Sequence, residues 1–534
     1  MVDSTSIFRI QDAIIQDYKS YVSSFINIKN DEIRAVVDKN VKEGTLWPKP
    51  LIQFNPAFQI GDSVNNLVAS KVIHPEIESV FTGYDLYKHQ VDAIRLGSSG
   101  KDFVVTSGTG SGKSLTYIAT IFDYLFSLND KKRGIKAVIV YPMNALINSQ
   151  TIELTKYKAN YEQETGKDFP ITFEQYTGQE KQEKRLEIRQ NLPDIILTNY
   201  MMLELILTRI QEKSIRDSIY NSLKYLVFDE LHTYRGRQGS DVALLIRRIK
   251  AKSQNDVLCI GTSATMVTGG TIPEQKEKVA EVAESFFGKQ FTENHIINES
   301  LSRSLEFDGE VPNQAALTQS LKTSINLNAG ETVLVKHPLA IWLENRIALV
   351  DNDGTLVRNK PMNMNQIIDR LVNDSGLDVE LCSSQLSSLL QWLSNVNSRL
   401  GLDNAYLPFK LHQFISQTGS IYISLDKQEI TLEPGVFKGK DQNKKPLFPV
   451  VFSRVSGHEF ICVLKNEEEN KIQPREFGEN TDDDEDLTAG YIITGDDVWD
   501  PSTDLESLPD AWLKYSASGS VTIQNKYKDR IPQK

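Results

Sequence analysis

A lysine and a serine, Lys113 and Ser114, stand at the end of a run of small residues. The stretch Phe103–Ser114 reads FVVTSGTGSGKS. Phe103–Thr106 is apolar and β-branched enough to predict a buried strand, and Leu115–Tyr124 has helical character. A glycine-rich loop between a strand and a helix is the context that a phosphate-binding loop requires. Its glycines let consecutive backbone N–H groups turn towards an anion, and the helix N-terminus adds partial positive charge.

This loop predicts a set of ligands for ATP and Mg²⁺. Lys113 is expected to reach the β- and γ-phosphates, and the Ser114 hydroxyl is expected to bind Mg²⁺. The residues expected to cradle the phosphates with them are Thr109, Gly110, Ser111 and Gly112. The strict pattern G-x-x-x-x-G-K-[ST] is broken at one position, because its first glycine is Ser107 here. The alternative is a surface loop rich in glycine and serine, which the flanking strand and helix disfavour.

Two adjacent carboxylates form the second candidate group. Asp229 and Glu230 follow the apolar run Tyr225–Phe228, and His232 lies two residues further on. In phosphate-loop enzymes the first carboxylate at such a strand end holds Mg²⁺, and the second orients or deprotonates the attacking water. Asp229 is therefore the predicted metal partner of Ser114, and Glu230 is the predicted base.

Hydroxyl side chains form the third group. The sequence Gly261–Thr265 reads GTSAT and follows another apolar run. The hydroxyls of Ser263 and Thr265 are predicted to bond to the carboxylates or to His232, which would couple this strand end to the catalytic group. An ordinary serine and threonine turn is the alternative.

Taken in order, GTGSGKS, DELH and SAT resemble motifs I, II and III of the superfamily 2 DExH helicases. These helicases commonly carry alanine or serine where Ser107 stands, and the resemblance implies that His232 belongs to the catalytic set. The run Leu86–Gln90, LYKHQ, resembles the motif with which these helicases recognise adenine. It implies that Gln90 bonds to the base edge and that Tyr87 stacks on the ring, a core aromatic being the alternative for Tyr87.

Two further runs resemble the helicase motifs that face the nucleic-acid backbone. They are YPMNAL, from Tyr141, and TNYMML, from Thr198. The phosphate contacts that this resemblance implies come from Pro142, Asn144, Thr198 and Asn199. Backbone N–H groups, hydroxyls, amides and helix N-termini can contact phosphates without reading sequence.

The run DELHTYRG narrows the resemblance to the branch with the bacterial YprA/MrfA and Hrq-type DNA helicases, near the large helicases of bacterial phage-defence systems. It implies that Arg235 touches the strand or pairs with a carboxylate across a domain interface. A surface salt bridge is the alternative for Arg235 and Arg237. The resemblance also implies DNA as substrate, 3′→5′ movement and protein partners in a defence or repair complex. An RNA helicase stays open, because phosphate contacts do not sort DNA from RNA.

Strands and helices must hold these residues in place. Their pattern in the sequence predicts an α/β fold with a RecA-like phosphate-loop domain and a parallel sheet. The predicted strands are Phe103–Thr106, Ala137–Tyr141, Thr172–Tyr176, Asp194–Thr198, Tyr225–Asp229 and Val257–Thr262. The predicted domains are a helical N-terminal lead-in at 1–80, the RecA-like domain at 81–267, a helical connector at 268–305 and an α+β accessory domain at 306–534. Trp47–Ile60 is predicted to be an irregular arm, and residues 465–489 an acidic loop.

Composition excludes several classes of protein. The chain has 534 residues, a net charge of −12 and no run of 18 apolar residues. A basic surface over the whole molecule and a transmembrane helix are therefore not expected, although a local cleft can still bind nucleic acid. Three widely spaced cysteines favour a reducing compartment, and we expect a cytoplasmic protein. The acidic run Asp482–Asp486 is expected to be solvated.

The segment Phe452–Phe460, FSRVSGHEF, resembles part of a zinc ribbon found between the two motor domains of some large defence-type helicases. Serine occupies both cysteine positions, Ser453 and Ser456, and serine is a poor zinc ligand. We therefore expect a module without zinc. His412 and His458 are expected to be structural.

A working helicase of this family needs a second RecA-like domain that supplies arginine fingers. No sequence that resembles its motif VI follows Thr265. Either the chain is the N-terminal part of a longer helicase, or a partner chain supplies the second motor domain. In both cases this chain alone is expected to bind ATP and to hydrolyse it poorly. The alternative function is an interaction scaffold in which nucleotide acts as a switch.

Overall fold

The structure is a computed structural model. It describes residues 4–531 except 109, 129–132, 265–270, 353, 402–404, 417–419, 427–428, 434, 436, 439–444, 454–455, 467–468, 470, 479–486, 495–504, 506–507 and 517–519. The acidic run Asp482–Asp486 and two predicted site residues, Thr109 and Thr265, lie outside the described residues.

A seven-stranded parallel sheet forms the centre of the molecule. In spatial order its strands are Ile296–Asn298, Phe103–Thr106, Leu258–Ser263, Tyr225–Phe228, Ala137–Tyr141, Ile195–Asn199 and Phe173–Gln175. Its helices are Lys88–Ser98, Lys113–Ser127, Asn144–Thr165, Gln182–Gln190, Tyr200–Thr208, Lys213–Ser222, Gly236–Lys252 and Ile272–Phe287. The predicted RecA-like α/β fold is confirmed.

The inner strands are buried on both faces, because helices cover the sheet on each side. Every residue of Phe103–Thr106, Ala137–Tyr141 and Leu258–Ser263 is buried. Two separate apolar cores result, one beneath the helix Lys113–Ser127 and one beneath the helix Gly236–Lys252. Parallel strands of this kind read as continuous apolar runs, which is why the sequence predicts the inner strands of the sheet.

The seventh strand, Ile296–Asn298, lies inside the segment expected to be a helical connector. That segment contains the expected helix, Ile272–Phe287, and then returns to the sheet to pair with the phosphate-loop strand. A run of three residues, IIN, is too short to show a strand period in sequence. The sheet therefore extends beyond residue 267, and it places the residues after Asn298 beside the phosphate-binding loop.

The expected irregular arm instead forms short strands that tie the chain together. Leu51–Phe54 pairs with Met362–Asn363 and Phe409–His412, and Ala57–Phe58 pairs with Leu301–Ser302. The third strand, Ile60–Ser63, pairs with Asp85–Tyr87. Single prolines at strand ends do not prevent such pairing, since each strand is only two to four residues long.

A helical group follows the central sheet. Its helices are Gln314–Lys322, Glu331–Leu334, Pro338–Trp342, Leu343–Ala348, Met364–Ser375 and Val379–Leu400. Ile52 and Phe54 of the arm belong to the same apolar core, which also buries Trp342 and Trp392. A hairpin of Leu349–Asn352 and Thr355–Arg358 projects from this group.

An antiparallel sheet forms the C-terminal part. Its strands are Ile421–Ile423, Ile430–Thr431, Phe448–Phe452, Glu459–Asn466, Lys471–Pro474 and Leu487–Ile492. The last two strands fall within or at the end of residues 465–489, which were expected to be a loop. Their alternation of polar side chains hides the strand signal, since Lys471–Pro474 buries no side chain fully. Short pairs at Phe437–Lys438/Lys445–Pro446 and Leu513–Tyr515/Val521–Ile523 complete the sheet elements.

The second N-terminal helix, Asp31–Glu43, packs on this C-terminal sheet, whereas the first, Ser4–Phe25, contacts the helix Val379–Leu400 and shares a small core with Trp47. Ile33 and Val37 share an apolar core with Ile423 and Phe448. The second helix thus joins the N-terminal region to the C-terminal sheet, although the sequence shows no sign of that contact. The first helix contains the expected apolar spacing, but Ile7, Ile10 and Ile14 are 40–53% exposed and its buried residues include Ile15 and Val22.

Within the described part of the chain, no helix combines the length and the apolar character needed to cross a membrane. Cys259, Cys382 and Cys462 are all buried free thiols.

Candidate nucleotide-binding site

The phosphate-binding loop closes on itself through Lys113. The lysine is 8% exposed, and its Nζ donates to the carbonyl oxygens of Ser107 at 3.0 Å and Gly108 at 3.4 Å. The Ser107 and Ser111 hydroxyls lie 2.5 Å apart. Serine at the first position of the pattern therefore ties the two ends of the loop together. The structure places this loop between the strand Phe103–Thr106 and the helix Lys113–Ser127, as the sequence predicts.

Gln90 and His89 hold the end of the loop from outside. The Gln90 amide oxygen accepts from the Tyr87 N–H at 2.9 Å, and its Nε2 donates to the Gly112 carbonyl at 3.1 Å. His89 Nε2 lies 2.9 Å from the Ser111 carbonyl oxygen. Gln90 is 4% exposed, so both ends of its amide are engaged inside the protein. The Gln90 side chain therefore anchors the end of the loop, and its bond to the adenine edge stays a prediction.

Gly112 has a backbone conformation and a close contact that both require glycine. Its φ is +69°, and a Cβ there would lie 2.3 Å from Gln90 Nε2. We expect Gly112→Ala to destabilise the protein by about 2 kcal/mol or more, because strain and a clash act together. Gly83→Ala is the matched control, since Gly83 has φ +78° and nothing within 4 Å of its Cβ position. Urea unfolding of both variants measures the difference, and an equal loss of stability in the two would contradict the clash with Gln90.

Aromatic rings line the side of the loop where Gln90 lies. The Tyr87 ring is 4.9 Å from the Phe58 ring and 5.7 Å from the His89 ring, and only the second pair is stacked. Tyr87 is half-buried, which leaves ring surface accessible for the predicted stacking on a base. Phe58 was not foreseen, because nothing in the sequence connects a residue of the arm with the loop.

Asp229 is buried at the end of its strand and faces the phosphate loop. The Thr262 hydroxyl donates to Asp229 and also accepts from the Glu230 N–H at 3.1 Å. Burial raises the pKa of Asp229 to about 6, against the lowering effect of the Thr262 bond and of Lys113. Thr262 therefore makes the hydroxyl contact to Asp229, whereas Ser263 contacts His232, the other partner predicted for it. The sequence contains the residue within GTSAT, but only the strand register shows which hydroxyl points to Asp229.

Ser114, the other predicted metal ligand, is linked to two buried tyrosines. Its hydroxyl bonds to Tyr117, and the hydroxyls of Tyr117 and Tyr141 lie 3.1 Å apart. Burial raises the pKa of both tyrosines well above the usual range, so both stay protonated and able to donate. The region between Ser114 and Asp229 thus has hydroxyl and carboxylate oxygens, the donor type that Mg²⁺ prefers.

The raised pKa of Asp229 predicts a pH-dependent stability. Folding raises this pKa above its unfolded value, so the aspartate stabilises the fold when protonated and loses that contribution as pH rises through about 6. We expect Asp229→Asn to stabilise the nucleotide-free protein by up to about 3 kcal/mol above pH 6, with the gain shrinking towards pH 4.

Urea unfolding without Mg²⁺ or nucleotide, at several pH values between 4 and 8, measures this gain. Asp256→Asn is the control for the loss of one carboxylate, because the Asp256 side chain is 78% exposed. A gain of the same size at every pH would contradict the assignment.

Glu230 is directed towards Lys113 and His232. Its backbone is left-handed, with φ +54°, a conformation that costs a non-glycine residue about 1 kcal/mol or more and is concentrated at active sites. Its carboxylate lies 3.8 Å from Lys113 Nζ and 3.2 Å from His232 Nδ1. The same His232 nitrogen is 3.2 Å from the Ser263 hydroxyl. The structure therefore brings together Lys113, Asp229, Glu230, His232 and Ser263.

Three helices begin at the carboxyl edge of the sheet, where the predicted nucleic-acid residues lie. They are Asn144–Thr165, Tyr200–Thr208 and Gly236–Lys252. Asn199 caps the second helix and donates to the Asn144 side chain at 2.9 Å. Pro142 is half-buried beside Asn144, and Arg235 is exposed just before the third helix.

Thr198 is not placed on this surface. It is fully buried, and its hydroxyl donates to the Tyr176 carbonyl at 2.7 Å. Thr198 is the penultimate residue of the strand Ile195–Asn199, and the next residue, Asn199, is the first of this strand that is only half-buried. Arg235 Nε donates to the His232 carbonyl at 2.8 Å, which links this edge to the catalytic group.

The serines at the cysteine positions of the zinc-ribbon-like segment are hydrogen-bonded to each other. The Ser453 hydroxyl accepts from the Ser456 N–H at 3.1 Å, and His458 Nε2 lies 3.0 Å from Lys29 Nζ. His412 bonds to Gln53. Among the residues that the structure describes, no group of three or more histidine, cysteine, aspartate or glutamate side chains is arranged to hold a metal ion.

The DEAD/DEAH box helicase family matches residues 87–269. The chain is 34% identical to the uncharacterized ATP-dependent helicase YprA of Bacillus subtilis over 194 residues, 36% of this chain and 24% of that protein. It is 24% identical to the Druantia protein DruE of Escherichia coli over 373 residues, 48% of this chain and 20% of that protein. The matched part thus spans about a quarter or less of these relatives.

Among solved structures, the crystal structure of the DUF1998 helicase MrfA bound to DNA overlaps with 51% of this chain and 36% of that one. The TM-score is 0.38 and the sequence identity is 24%.

Proposed function

We propose that this chain, whose residues 87–269 match the DEAD/DEAH box helicase family, is the ATP-binding half of a DNA helicase or translocase. The observation that supports it best is the group of Lys113, Asp229, Glu230 and His232 at one edge of the sheet. A phosphate-binding lysine, a buried carboxylate and a second carboxylate beside a histidine are the parts that phosphoryl transfer to water needs. Distant relatives described as ATP-dependent helicases support the same reading.

The residues around the loop are suited to hold Mg·ATP. Lys113 and the loop N–H groups would bind the phosphates, and Ser114 and Asp229 would hold the Mg²⁺. Bound Mg²⁺ would neutralise charge on the phosphates. The fit rests on the chemistry of the donor set and on the loop, where a Cβ at Gly112 would collide with Gln90.

In this assignment Glu230 accepts a proton from the attacking water or orients it. His232 lies within hydrogen-bonding distance of both Glu230 and Ser263, so it connects the base with the strand end that follows. Arg235, bonded to the His232 carbonyl, extends that connection to the edge where the helices begin. A nucleic-acid strand bound at this edge of the sheet can therefore influence the position of Glu230 through a short series of contacts.

The second RecA-like domain and its arginine fingers are proposed to come from outside residues 1–534. A longer form of this protein or a partner chain would supply them. This chain alone is then expected to bind ATP with little turnover. By resemblance, the completed motor would move 3′→5′ and act in phage defence or DNA repair. The alignment with the Druantia protein DruE, which covers 48% of the chain, supports the defence role.

Single-stranded nucleic acid is proposed to bind across Asn144, Asn199 and Arg235. Fluorescence anisotropy with labelled single-stranded DNA tests this, and Arg235→Ala is expected to weaken binding about three- to tenfold, because it removes one charged contact. Arg370→Ala is the control, since Arg370 is exposed on a helix of the helical group. Equal affinity of the two variants would contradict the assignment.

Competition with RNA of the same sequence tests the substrate, and preference for RNA would point to a 2′-OH contact and an RNA helicase.

A further inference from the structure

We propose that Arg358, from the hairpin of the helical group, binds the triphosphate at the phosphate-binding loop, and that Glu299 is its alternative partner. The inference rests on the proposed function, because it needs the loop to bind ATP. It assigns to the helical group a direct part in the nucleotide site.

Arg358 lies against the first turn of the loop. A Cβ on Gly108 would be 3.2 Å from Arg358 Nε and 3.4 Å from its Nη2, so the guanidinium packs directly on the loop backbone. Glu299 bonds to both of them. One of its oxygens accepts from the Gly108 N–H at 3.0 Å, and the other accepts from Arg358 Nε at 2.8 Å.

Both charged side chains are held firmly from outside the loop. Glu299 follows the edge strand of the central sheet, and its N–H donates to the Thr106 carbonyl at 3.0 Å. Arg358 Nη1 donates to the Asn55 side chain at 3.1 Å, and the guanidinium carbon lies 5.3 Å from the centre of the Phe58 ring. The two side chains are 12% and 13% exposed, so water screens their charges only weakly.

The Glu299 carboxylate accepts a hydrogen bond from a backbone N–H that belongs to the phosphate-binding loop. The Gly108 N–H is part of the loop whose N–H groups bind an anion, and a carboxylate there would repel a triphosphate. A phosphate oxygen can replace it, since it accepts from the same N–H and also from an arginine. Arginine is suited to this exchange, because its planar fork binds carboxylate and phosphate with the same geometry.

Nucleotide binding would then move Arg358 from Glu299 to the phosphates. The arginine is delivered by the strand Thr355–Arg358, which pairs with Leu349–Asn352 at the edge of the helical group. A change of partner at the loop is thereby transmitted to that group, whose first helix begins at Gln314, far along the chain from the loop. The occupancy of the loop would thus influence a domain that contributes no other residue to the site among those described.

Calorimetric titration of Mg·ATP into the purified chain tests the inference. Arg358→Ala is expected to weaken ATP binding about tenfold, which corresponds to the loss of one charged hydrogen-bonding partner. Glu299→Gln is expected to bind ATP about as tightly as the unaltered chain or a few-fold more tightly. The double variant Glu299→Gln/Arg358→Ala is expected to stay weak.

Arg303→Ala is the matched control. Arg303 also contacts the hairpin, through Asp351 at 3.6 Å, and its other partners are Asn345 and the Phe307 ring. It should bind ATP like the unaltered chain.

Two results would overturn the inference. One is Arg358→Ala with unchanged ATP affinity, and the other is full recovery in the double variant, which would mean that the arginine only neutralises Glu299. If Arg358→Ala does not fold, as judged by circular dichroism, Glu299→Gln decides alone, and weaker binding by that variant overturns the inference. Titrations of the unaltered chain and of Lys113→Ala distinguish a failure of the proposed function from a failure of the role proposed for Arg358. If the unaltered chain binds no ATP, the proposed function fails, whereas normal binding lost only in Lys113→Ala leaves the function intact and places the failure on Arg358.

Discussion

Replacing Lys113 with alanine is expected to weaken Mg·ATP binding about 100-fold or more. The lysine carries the positive charge nearest the loop carbonyls, with Nζ 3.0 Å from the Ser107 oxygen and 3.8 Å from a Glu230 oxygen. Without it the phosphates lose two or more charged contacts, each of about 1.5–3 kcal/mol. They would also meet Asp229 and Glu230 with no compensating cation. Calorimetric titration of Mg·ATP measures the loss.

Lys101→Ala is the control for Lys113→Ala, because Lys101 is an exposed lysine just before the strand Phe103–Thr106, which leads into the loop. It should bind ATP like the unaltered chain. The substitution of Lys113 should also leave the fold intact, since the loop retains its Ser107–Ser111 bond and its contacts with Gln90. Lys113→Ala with unchanged affinity and a normal circular dichroism spectrum would show that ATP does not bind in this loop.

Replacing Glu230 with glutamine is expected to reduce ATP turnover by the completed motor about 10²–10⁴-fold while leaving ATP bound. Glutamine keeps the size and the hydrogen-bonding shape of the side chain but cannot accept a proton. The Glu230 N–H bond to Thr262 and the left-handed backbone do not depend on the carboxylate charge. The loss should therefore appear in kcat and not in the affinity for ATP.

Phosphate release by the longer protein or by the complex with the second motor domain is the measurement for Glu230→Gln. Glu153→Gln serves as control, because Glu153 lies on the surface of the helix Asn144–Thr165 and pairs with Lys156. Turnover that persists at the unaltered rate in Glu230→Gln would remove this residue from the catalytic role.

The parts of the fold that sequence could predict are those with continuous apolar runs and short-range motifs. Phe103–Thr106 and Ala137–Tyr141 have the predicted bounds, and the strand before Asp229 differs by one residue. Such strands are buried on both faces, so their apolar character is unbroken. The edge strand Ile296–Asn298 was not predicted, because three residues are too few to show the period of a strand. It is held in the sheet by pairing with the phosphate-loop strand.

The site was predictable where neighbours in sequence act together, and not where distant segments meet. Lys113 and Ser114 are adjacent in one motif, as are Asp229 and Glu230. In contrast, Arg358 reaches Gly108 from 250 residues away, a separation for which a single sequence offers no signal. The choice of Thr262 over Ser263 as the partner of Asp229 depends on which face of the strand each residue occupies. That face is set by the strand register.

The central claim is that this chain carries an ATP-binding half-motor whose catalytic site is completed from elsewhere. Steady-state phosphate release by residues 1–534, at saturating Mg·ATP with and without single-stranded DNA, tests it most directly. We expect turnover no higher than that of Lys113→Ala under either condition, although the unaltered chain binds ATP. Steady turnover that DNA stimulates, and that Lys113→Ala and Glu230→Gln both abolish, would contradict it, because the chain would then complete its own catalytic site.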